Sequence, residues 1–188
     1  LLHNIYVNSI HDTLWSIKDV DSMYSKGVAG IGRDDVYPLN QKKSKIYKDE
    51  LTIESKKAFE EDRSYLLWGH NGGSNEVRDT ILEIDTINYK PIEREWKVRA
   101  IAGKKGISTK IIYKIPIDIN GNSIRMIVNR EDYAGNGVIY KPREVTDSSV
   151  VFDSIVWVSG SNYYVKIVMI GDSIYKPILT KIREREIK

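Results

Sequence analysis

An alternation of apolar and polar residues from about residue 94 onward is the feature that most constrains the fold. In REWKVRAIAG, Trp96, Val98 and Ala100 fall on one side of an extended chain, while Lys97 and Arg99 fall on the other. The segments ISTKIIYKIPIDI, NSIRMIVN, VVFDSIVWVSG and NYYVKIVMIG follow the same period of two. This period predicts antiparallel β-strands that each bury one face.

Two turn signals divide these strands. Asn120-Gly121 lies between two alternating runs, and this dipeptide is the strongest short-range signal for a β-hairpin. Gly160, Ser161 and Asn162 separate the last two runs in the same way. We therefore expect one hairpin around Asn120-Gly121 and a second strand pair around Gly160.

The first half of the chain is less regular but also rich in short strands. TLWSI, GVAGIG, SKIYKDELTIES and SYLLWG are separated by Gly, Asn, Asp and Pro. The pattern predicts one all-β domain over residues 1–188, an antiparallel β-sandwich of immunoglobulin-like or jelly-roll-like type. Residues 1–90 form its irregular part, residues 91–171 its regular strands, and residues 172–188 a tail or an extra strand. Two domains dividing near residue 90 are the alternative.

The stretch GVAGIGRDD, residues 27–35, raises the possibility of a phosphate-binding loop. A dinucleotide-binding loop requires a helix after the glycines, but Pro38 and a segment without helical periodicity follow. A Walker loop requires Gly-Lys-Ser or Gly-Lys-Thr, but Arg33 follows Gly32. The glycines instead predict a strand, with Gly30 and Gly32 in close approach to another backbone and with Asp34 and Asp35 starting the next turn.

Composition limits the possible partners. The chain carries 29 basic and 26 acidic residues, and these alternate rather than forming the concentrated basic stripe of a nucleic-acid binder. It contains no cysteine, which excludes thiol catalysis and cysteine-ligated metals. No apolar run reaches the length of a membrane span. The chain begins LLHN without methionine, so we interpret it as a fragment or a processed product.

Oxygen-bearing side chains suggest one candidate metal site. Calcium binds several oxygen ligands from flexible loops, and two loops offer them: Asp34 and Asp35 in one, and Asn71, Asn75, Glu76 and Asp79 in the other. The alternative is that these residues form Asx turns and ion-paired loops. No other cofactor is predicted.

Aromatic residues suggest a second kind of site. Trp68 and Trp96 lie on apolar faces and are expected in the core, whereas Trp15, Tyr163 and Tyr164 are the candidates for an exposed, ligand-binding surface. The three histidines lie far apart in sequence and outside known catalytic motifs. Glu93 and Glu95 are two residues apart on a strand, which predicts solvated charges rather than a glycosidase pair. We therefore expect no enzyme activity.

Several segments resemble a domain of unknown function found in large surface proteins of Gram-negative bacteria that use type IX secretion. They are VAGIGRDD with LNQKKS, WGHNGG, the strand REWKV and the strand around YYVKI, and the resemblance covers roughly residues 4–171. His70 stands where the family usually has an acidic residue. The resemblance implies a secreted, cell-surface setting.

These observations predict a non-catalytic structural or adhesive module of a larger exported protein. The predicted partners are other domains of that protein and surface glycans or proteins. A carbohydrate-binding module and an accessory domain of a secreted hydrolase are the alternatives.

Overall fold

The structure, a computed structural model, describes residues 5–18, 21–46, 50–101, 106–116, 118–132 and 137–171. The described residues contain β-strands and two short 3-10 turns, Ser22–Tyr24 and Gly121–Ser123, but no α-helix. The strands are β1 (Ile5–Val7), β2 (Thr13–Ser16), β3 (Lys26–Asp34), β4 (Leu39–Gln41), β5 (Lys43–Lys45), β6 (Leu51–Ser55), β7 (Ser64–His70), β8 (Leu82–Ile84), β9 (Ile87–Ile101), β10 (Ile107–Lys114), β11 (Ile124–Arg130), β12 (Val138–Tyr140), β13 (Glu144–Val145), β14 (Ser149–Trp157) and β15 (Asn162–Ile170).

Two antiparallel sheets pack face to face, which confirms the predicted β-sandwich. One sheet has five strands in the order β13-β14-β10-β6-β5, and the other has the order β12-β11-β15-β9-β7-β3-β4 with β8 also paired to β9. The main core lies between them and joins Ile53, Tyr113 and Trp157 of the first sheet to Trp68 and Trp96 of the second. Burial of Trp68 and Trp96 was predicted and is confirmed.

The two predicted hairpins are wrong. The strands on either side of Asn120-Gly121, β10 and β11, lie in different sheets, and so do β14 and β15 on either side of Gly160. Asn120 caps the short 3-10 turn by accepting a hydrogen bond from the Asn122 amide. Both turns therefore carry the chain across the sandwich, and β10 pairs with β14 while β11 pairs with β15.

Short chain segments cross between the sheets at both lateral edges. At one edge β4 of the eight-stranded sheet leads through residue 42 into β5 of the five-stranded sheet. At the other edge β12 leads through residues 141–143 into β13. Strands that switch sheets form the corners of a sandwich, so a single short segment joins the two sheets at each side.

A hairpin of β1 and β2, which we call the first hairpin, lies on the outer face of the eight-stranded sheet. Leu14 and Trp15 of β2 pack there against Tyr65 and Leu67 of β7. Gly69 makes this contact possible, since a Cβ at that position would lie 2.3 Å from the Tyr24 carbonyl oxygen and 3.2 Å from the Trp15 ring. The N-terminal part thus contributes strands to both sheets and a cover for one of them.

The predicted tail, residues 172–188, lies outside the described residues. Within the described ranges, no helix is sufficiently long and apolar to span a membrane.

Candidate functional site

Asp34, the first acidic residue of the GRDD segment, is a buried anchor at the end of β3. Its carboxylate accepts hydrogen bonds from the backbone amides of Ser9 and Val36 and from the Tyr65 hydroxyl. Burial by itself raises the pKa of this carboxyl, but the hydrogen bonds from Tyr65, Ser9 and Val36 outweigh it and lower the pKa to about 2. Asp34 therefore fixes the end of the first hairpin and the turn after β3 to the large sheet.

Arg33 and Asp35 form a second tie beside this anchor. The Arg33 guanidinium donates to both Asp35 carboxylate oxygens, at 2.7 and 2.9 Å, and to the carbonyls of Phe59 and Glu60. The Asp35 amide donates to the Asp62 carboxylate at 2.7 Å. The motif thus holds together the turn after β3 and the segment before β7, which is a structural role.

Two of the three glycines of β3, Gly30 and Gly32, face outward and form the floor of a groove. Gly30 and Gly32 pair with Leu67 and Tyr65 of β7, and their missing side chains leave space beside these two residues. A Cβ on Gly32 would lie 2.6 Å from the Ser64 carbonyl oxygen, so the predicted close backbone approach is confirmed there and is looser at Gly30, where the nearest atoms are 3.3 Å away.

We name this feature the glycine groove. It has a volume of about 390 Å³ and lies between residues 6–8 of the first hairpin, residues 28–32 of β3, and the segment containing Tyr37, Leu39 and Gln41. The hydrogen bond from Ser9 to Asp34 lies at one end of the groove, and Ser44, just after the crossover to β5, lies toward the other end. A cavity of similar size, about 400 Å³, lies between residues 55–61 and 106–108.

Exposed apolar side chains concentrate at the rim of the glycine groove. Of the fourteen large hydrophobic side chains that the described residues leave exposed, half lie in two short segments anchored on Asp34, residues 5–10 and 36–39. Tyr37 is 60% exposed, Val7 50% and Tyr6 42%. This clustering differs from the scattered exposure that is normal for single apolar residues.

Three polar side chains that line the glycine groove already have hydrogen-bond partners within the chain. Asn8 accepts from the amides of Ile10 and Asp12 through its side-chain oxygen, the Gln41 side-chain amide donates to the Lys43 carbonyl, and the Asp34 carboxylate holds three donors. These three side chains are therefore held by the fold, and aliphatic and tyrosine side chains with two glycines form most of the remaining lining.

A second region of the same outer face is charged, and we name it the polar face. It comprises Asp21, Glu95, Lys97, Arg99, Glu131 and Tyr164. Asp21 is fully buried, and its Oδ1 lies 2.9 Å from Lys97 Nζ and 2.8 Å from Arg99 Nη2. Arg99 also donates to the Leu14 carbonyl and lies over the Trp15 ring, 5.5 Å from its centroid. These contacts tie the first hairpin to β9.

Two tyrosine–glutamate pairs complete the polar face. Tyr164 donates to Glu131 at 3.0 Å, and Tyr24 donates to Glu95, which also accepts from Lys166 at 2.8 Å. Burial and the neighbouring Glu131 raise the pKa of Tyr164 to about 12. The two tyrosine rings lie 5.6 Å apart and are tilted by 47°, so they do not form a flat stacking platform.

The predicted calcium ligands do not come together. Asp34 and Asp35 lie at one end of the β3–β7 pair, and the loop after His70 lies at the other, because Arg33 pairs with Ser64 and Lys26 with His70. Seven residues of strand separate them by about 23 Å. Within the loop, Asn71 accepts from the Gly73 and Glu95 amides, the Glu76 carbonyl accepts from Glu93, and Asp79 is 4.0 Å from Lys90. Among the described residues, no group of three His, Asp or Glu side chains could hold a metal ion.

The expected exposure of the aromatic candidates is wrong for two of three. Trp15, on β2, is fully buried between the first hairpin and the eight-stranded sheet. Tyr163 is 5% exposed, with its ring edge-on to Trp157. Tyr164 is half-buried on the polar face. The sequence analysis missed Tyr6 and Tyr37, although the apolar run VYPL directly after two aspartates is unusual for a turn and signals exposed apolar residues.

Comparison with known proteins identifies a family but no activity. A family model described as a domain of unknown function (DUF8202) matches residues 2–162. No curated protein and no solved structure matches the chain significantly. The matched range covers all the groove residues named above and stops at the first residue of β15, the central strand between β9 and β11.

Proposed function

We propose that the chain, which belongs to the DUF8202 family, is a non-catalytic adhesive module of a larger exported cell-surface protein. Its contact surface is the glycine groove. The cell-surface setting is supported by the resemblance to domains of type IX-secreted surface proteins, and the partners are other domains of that protein or surface glycans and proteins.

One observation carries this proposal: of the fourteen large hydrophobic side chains left exposed in the described residues, seven lie in the two segments that border one groove, and four of these, Tyr6, Val7, Tyr37 and Leu39, line it. Exposing them costs solubility without helping the fold, so their clustering is best explained by a partner that covers them. The carboxylates of the polar face already accept hydrogen bonds from neighbouring side chains, which supports the non-catalytic assignment.

A peptide library displayed on phage tests the groove. The library is panned on the immobilised domain, and the enriched phage are then measured against Val7→Ser and Val156→Ser. Val156→Ser is the matched control for Val7→Ser. The two valines are similarly exposed, Val7 at 50% and Val156 at 56%, but Val156 lies on β14 of the other sheet. We expect the enriched peptides to bind the wild type and Val156→Ser but to lose binding to Val7→Ser. Equal binding to all three proteins contradicts the proposal.

A carbohydrate-binding module is the second candidate, and the exposed rings of Tyr6 and Tyr37 favour it. Sugar rings stack on exposed tyrosines, although the side chains of Asn8, Gln41 and Asp34 in the groove are already engaged in hydrogen bonds within the chain. A glycan array probed with the wild type and with Tyr37→Ser separates the two functions. A glycan that binds only the wild type establishes carbohydrate binding in place of protein adhesion.

A further inference from the structure

The outer face of the five-stranded sheet carries many basic side chains. Ile53 of β6 points into the core, and Ser44 of β5 pairs with it. The lysines on either side of Ser44 in β5 therefore point outward. The other strands and the ends of the sheet add cations to the same side. We name this surface the basic face, and its cations are Lys43, Lys45, Lys56, Lys110, Lys114 and Arg143.

Glu54 of β6 lies between two of these lysines. Its carboxylate contacts Lys43 at 3.1 Å and Lys110 at 3.3 Å. The Glu54 side chain is 27% exposed, whereas Lys43 is 59% and Lys110 36% exposed. The two ammonium groups are therefore more accessible to a ligand than the carboxylate that they share. Because β5 and β10 flank β6, about 10 Å separates the two strands that carry these lysines.

Asp153 repeats this arrangement on β14. Its carboxylate contacts Lys56 at 2.6 Å and also binds Arg143. The Asp153 side chain is 13% exposed, against 40% for Lys56 and 67% for Arg143. Each carboxylate thus holds two cations in place but neutralises the charge of only one.

The ion pairs leave the basic face with an excess of positive charge. Lys45 and Lys114 are exposed and form no ion pair with any described residue. Glu144 of β13 is the third carboxylate on this side, because it pairs with Val151 and the neighbouring Val150 is buried. Six cations against three carboxylates give the face a net charge of +3.

Two further carboxylates lie beside the basic face rather than on it. Glu50 precedes β6 and binds Arg94 of the eight-stranded sheet at 2.7 Å, so its side chain points across the sandwich. Asp147 lies in the turn between β13 and β14, beyond the ends of the strands. The strands themselves therefore present mainly lysine to the solvent.

The rest of the basic face indicates the kind of anion that it fits. Between the charged side chains lie the half-buried Ile112 and Val151 and the hydroxyls of Thr52 and Ser108. None of the described residues that point to this side is aromatic, whereas single-stranded nucleic acid is usually bound by stacking on aromatic rings. Protein interfaces are depleted of lysine and have an apolar centre. Lysines beside hydroxyl groups suit a polymer with spaced acidic groups and many hydroxyls.

We propose that the basic face binds an acidic polysaccharide, whose anionic groups pair with the exposed lysines and whose hydroxyls bond to Thr52 and Ser108. The inference rests on the proposed function only for the cell-surface setting, where such polymers occur. Its surface lies on the opposite side of the sandwich from the glycine groove.

Labelled polymers test this on the full chain. The probes are fluorescein-labelled polygalacturonate and dextran sulfate, and fluorescence anisotropy at about 0.15 M salt measures their binding. Methyl-esterified polygalacturonate and dextran are the neutral controls, because they keep the sugars and lack the charge. Poly-L-glutamate and duplex DNA carry negative charge on other backbones. Circular dichroism checks the fold of each variant.

Three variants of the chain are compared with the wild type. One combines Lys45→Gln with Lys114→Gln. Its matched control combines Lys18→Gln with Lys26→Gln, which changes the net charge equally at exposed lysines outside the basic face. The third is Glu54→Gln, which leaves the two lysines beside it without their shared carboxylate.

Binding at the basic face predicts a specific pattern. An acidic polysaccharide binds, its neutral form does not, and added salt weakens binding. The variant at Lys45 and Lys114 binds about fivefold more weakly. The matched control changes affinity by less than about twofold, because salt screens distant charges. Glu54→Gln tightens binding, which a poorly folded variant could not do.

Two results overturn the inference. If neither acidic polysaccharide binds, or if both double variants weaken binding equally, the basic face is not the site. If poly-L-glutamate or DNA binds at least as tightly and with the same dependence on Lys45 and Lys114, the partner is an acidic protein or a nucleic acid instead. Neither result bears on the glycine groove, whose phage-selected peptides depend on Val7, and Val7→Ser should leave polysaccharide binding unchanged.

Discussion

The polar face and the glycine groove occupy the same outer face of one sheet but use their side chains in opposite ways. The polar face carries a buried aspartate that contacts a buried lysine and a partly buried arginine, and its carboxylates accept hydrogen bonds from neighbouring side chains. The groove carries apolar side chains that nothing in the described chain covers. Dense charge here marks internal ties, whereas the exposed tyrosine and valine side chains form the surface that we propose contacts a partner.

Each region is anchored by one buried aspartate that holds the N-terminal segment on the sheet. Asp21 is held by two cationic side chains of β9, and Asp34 by two backbone amides and the Tyr65 hydroxyl. Removing a carboxylate from a buried pair is costly because the cations stay behind in a dry environment. The comparison therefore predicts that stability depends on the polar face more than on the groove.

The largest expected effect is that of Asp21→Ala. The substitution removes the carboxylate between Lys97, with a side chain 5% exposed, and Arg99. We expect the free energy of unfolding to fall by about 3–5 kcal/mol, as for other broken buried ion pairs. Urea denaturation measures this loss. Asp35→Ala is the control, because its ion pair with Arg33 is exposed and its loss should be far smaller. Similar losses of unfolding free energy in the two variants would show that the buried ion pairs of the polar face stabilise the fold no more than the exposed pair beside the groove.

A smaller loss of stability is expected in the floor of the groove. Gly32→Ala places a methyl group 2.6 Å from the Ser64 carbonyl oxygen and 2.7 Å from the Tyr65 ring, which forces the β3–β7 pair apart. We expect a cost of about 1–3 kcal/mol in urea denaturation. Gly30→Ala is the matched control, since its nearest contacts are 3.3 Å and the gain from replacing a strand glycine offsets them. If Gly32→Ala leaves the free energy of unfolding unchanged, β3 can shift away from β7 at little cost.

The faces of the strands could be predicted from the sequence, but their partners could not. Alternation places Trp96 and Val98 inward and Lys97 and Arg99 outward, as found, because side-chain direction is a local property of an extended chain. Pairing is not local. The Asn120-Gly121 signal for a hairpin is outweighed here because β10 and β11 complete opposite sheets around a shared core.

The candidate site was predictable only in part, for a similar reason. The sequence showed that the glycines form a strand in close approach and that Asp34 starts a turn. It could not show that the first hairpin folds back over the sheet, buries Trp15 and leaves Tyr6 and Tyr37 lining one groove. The calcium prediction was wrong on placement, because nearness of the two loops was assumed and the β3–β7 register separates them.

The smallest expected effect is the one that most sharpens the comparison. Tyr37 is 60% exposed at the groove rim, so Tyr37→Ser removes little buried area and should change the free energy of unfolding by less than about 0.5 kcal/mol. For a chain of this size, that is a shift of the melting temperature of about 2 °C or less. Differential scanning calorimetry of Tyr37→Ser beside Val156→Ser measures it.

A large drop in melting temperature for Tyr37→Ser alone would mean that the tyrosine supports the turn after β3. The groove would then resemble the polar face, because its residues would contribute to stability. An unchanged melting temperature with loss of peptide binding would separate the two regions fully, because the exposed residues would then serve contact and the buried charges would serve the fold.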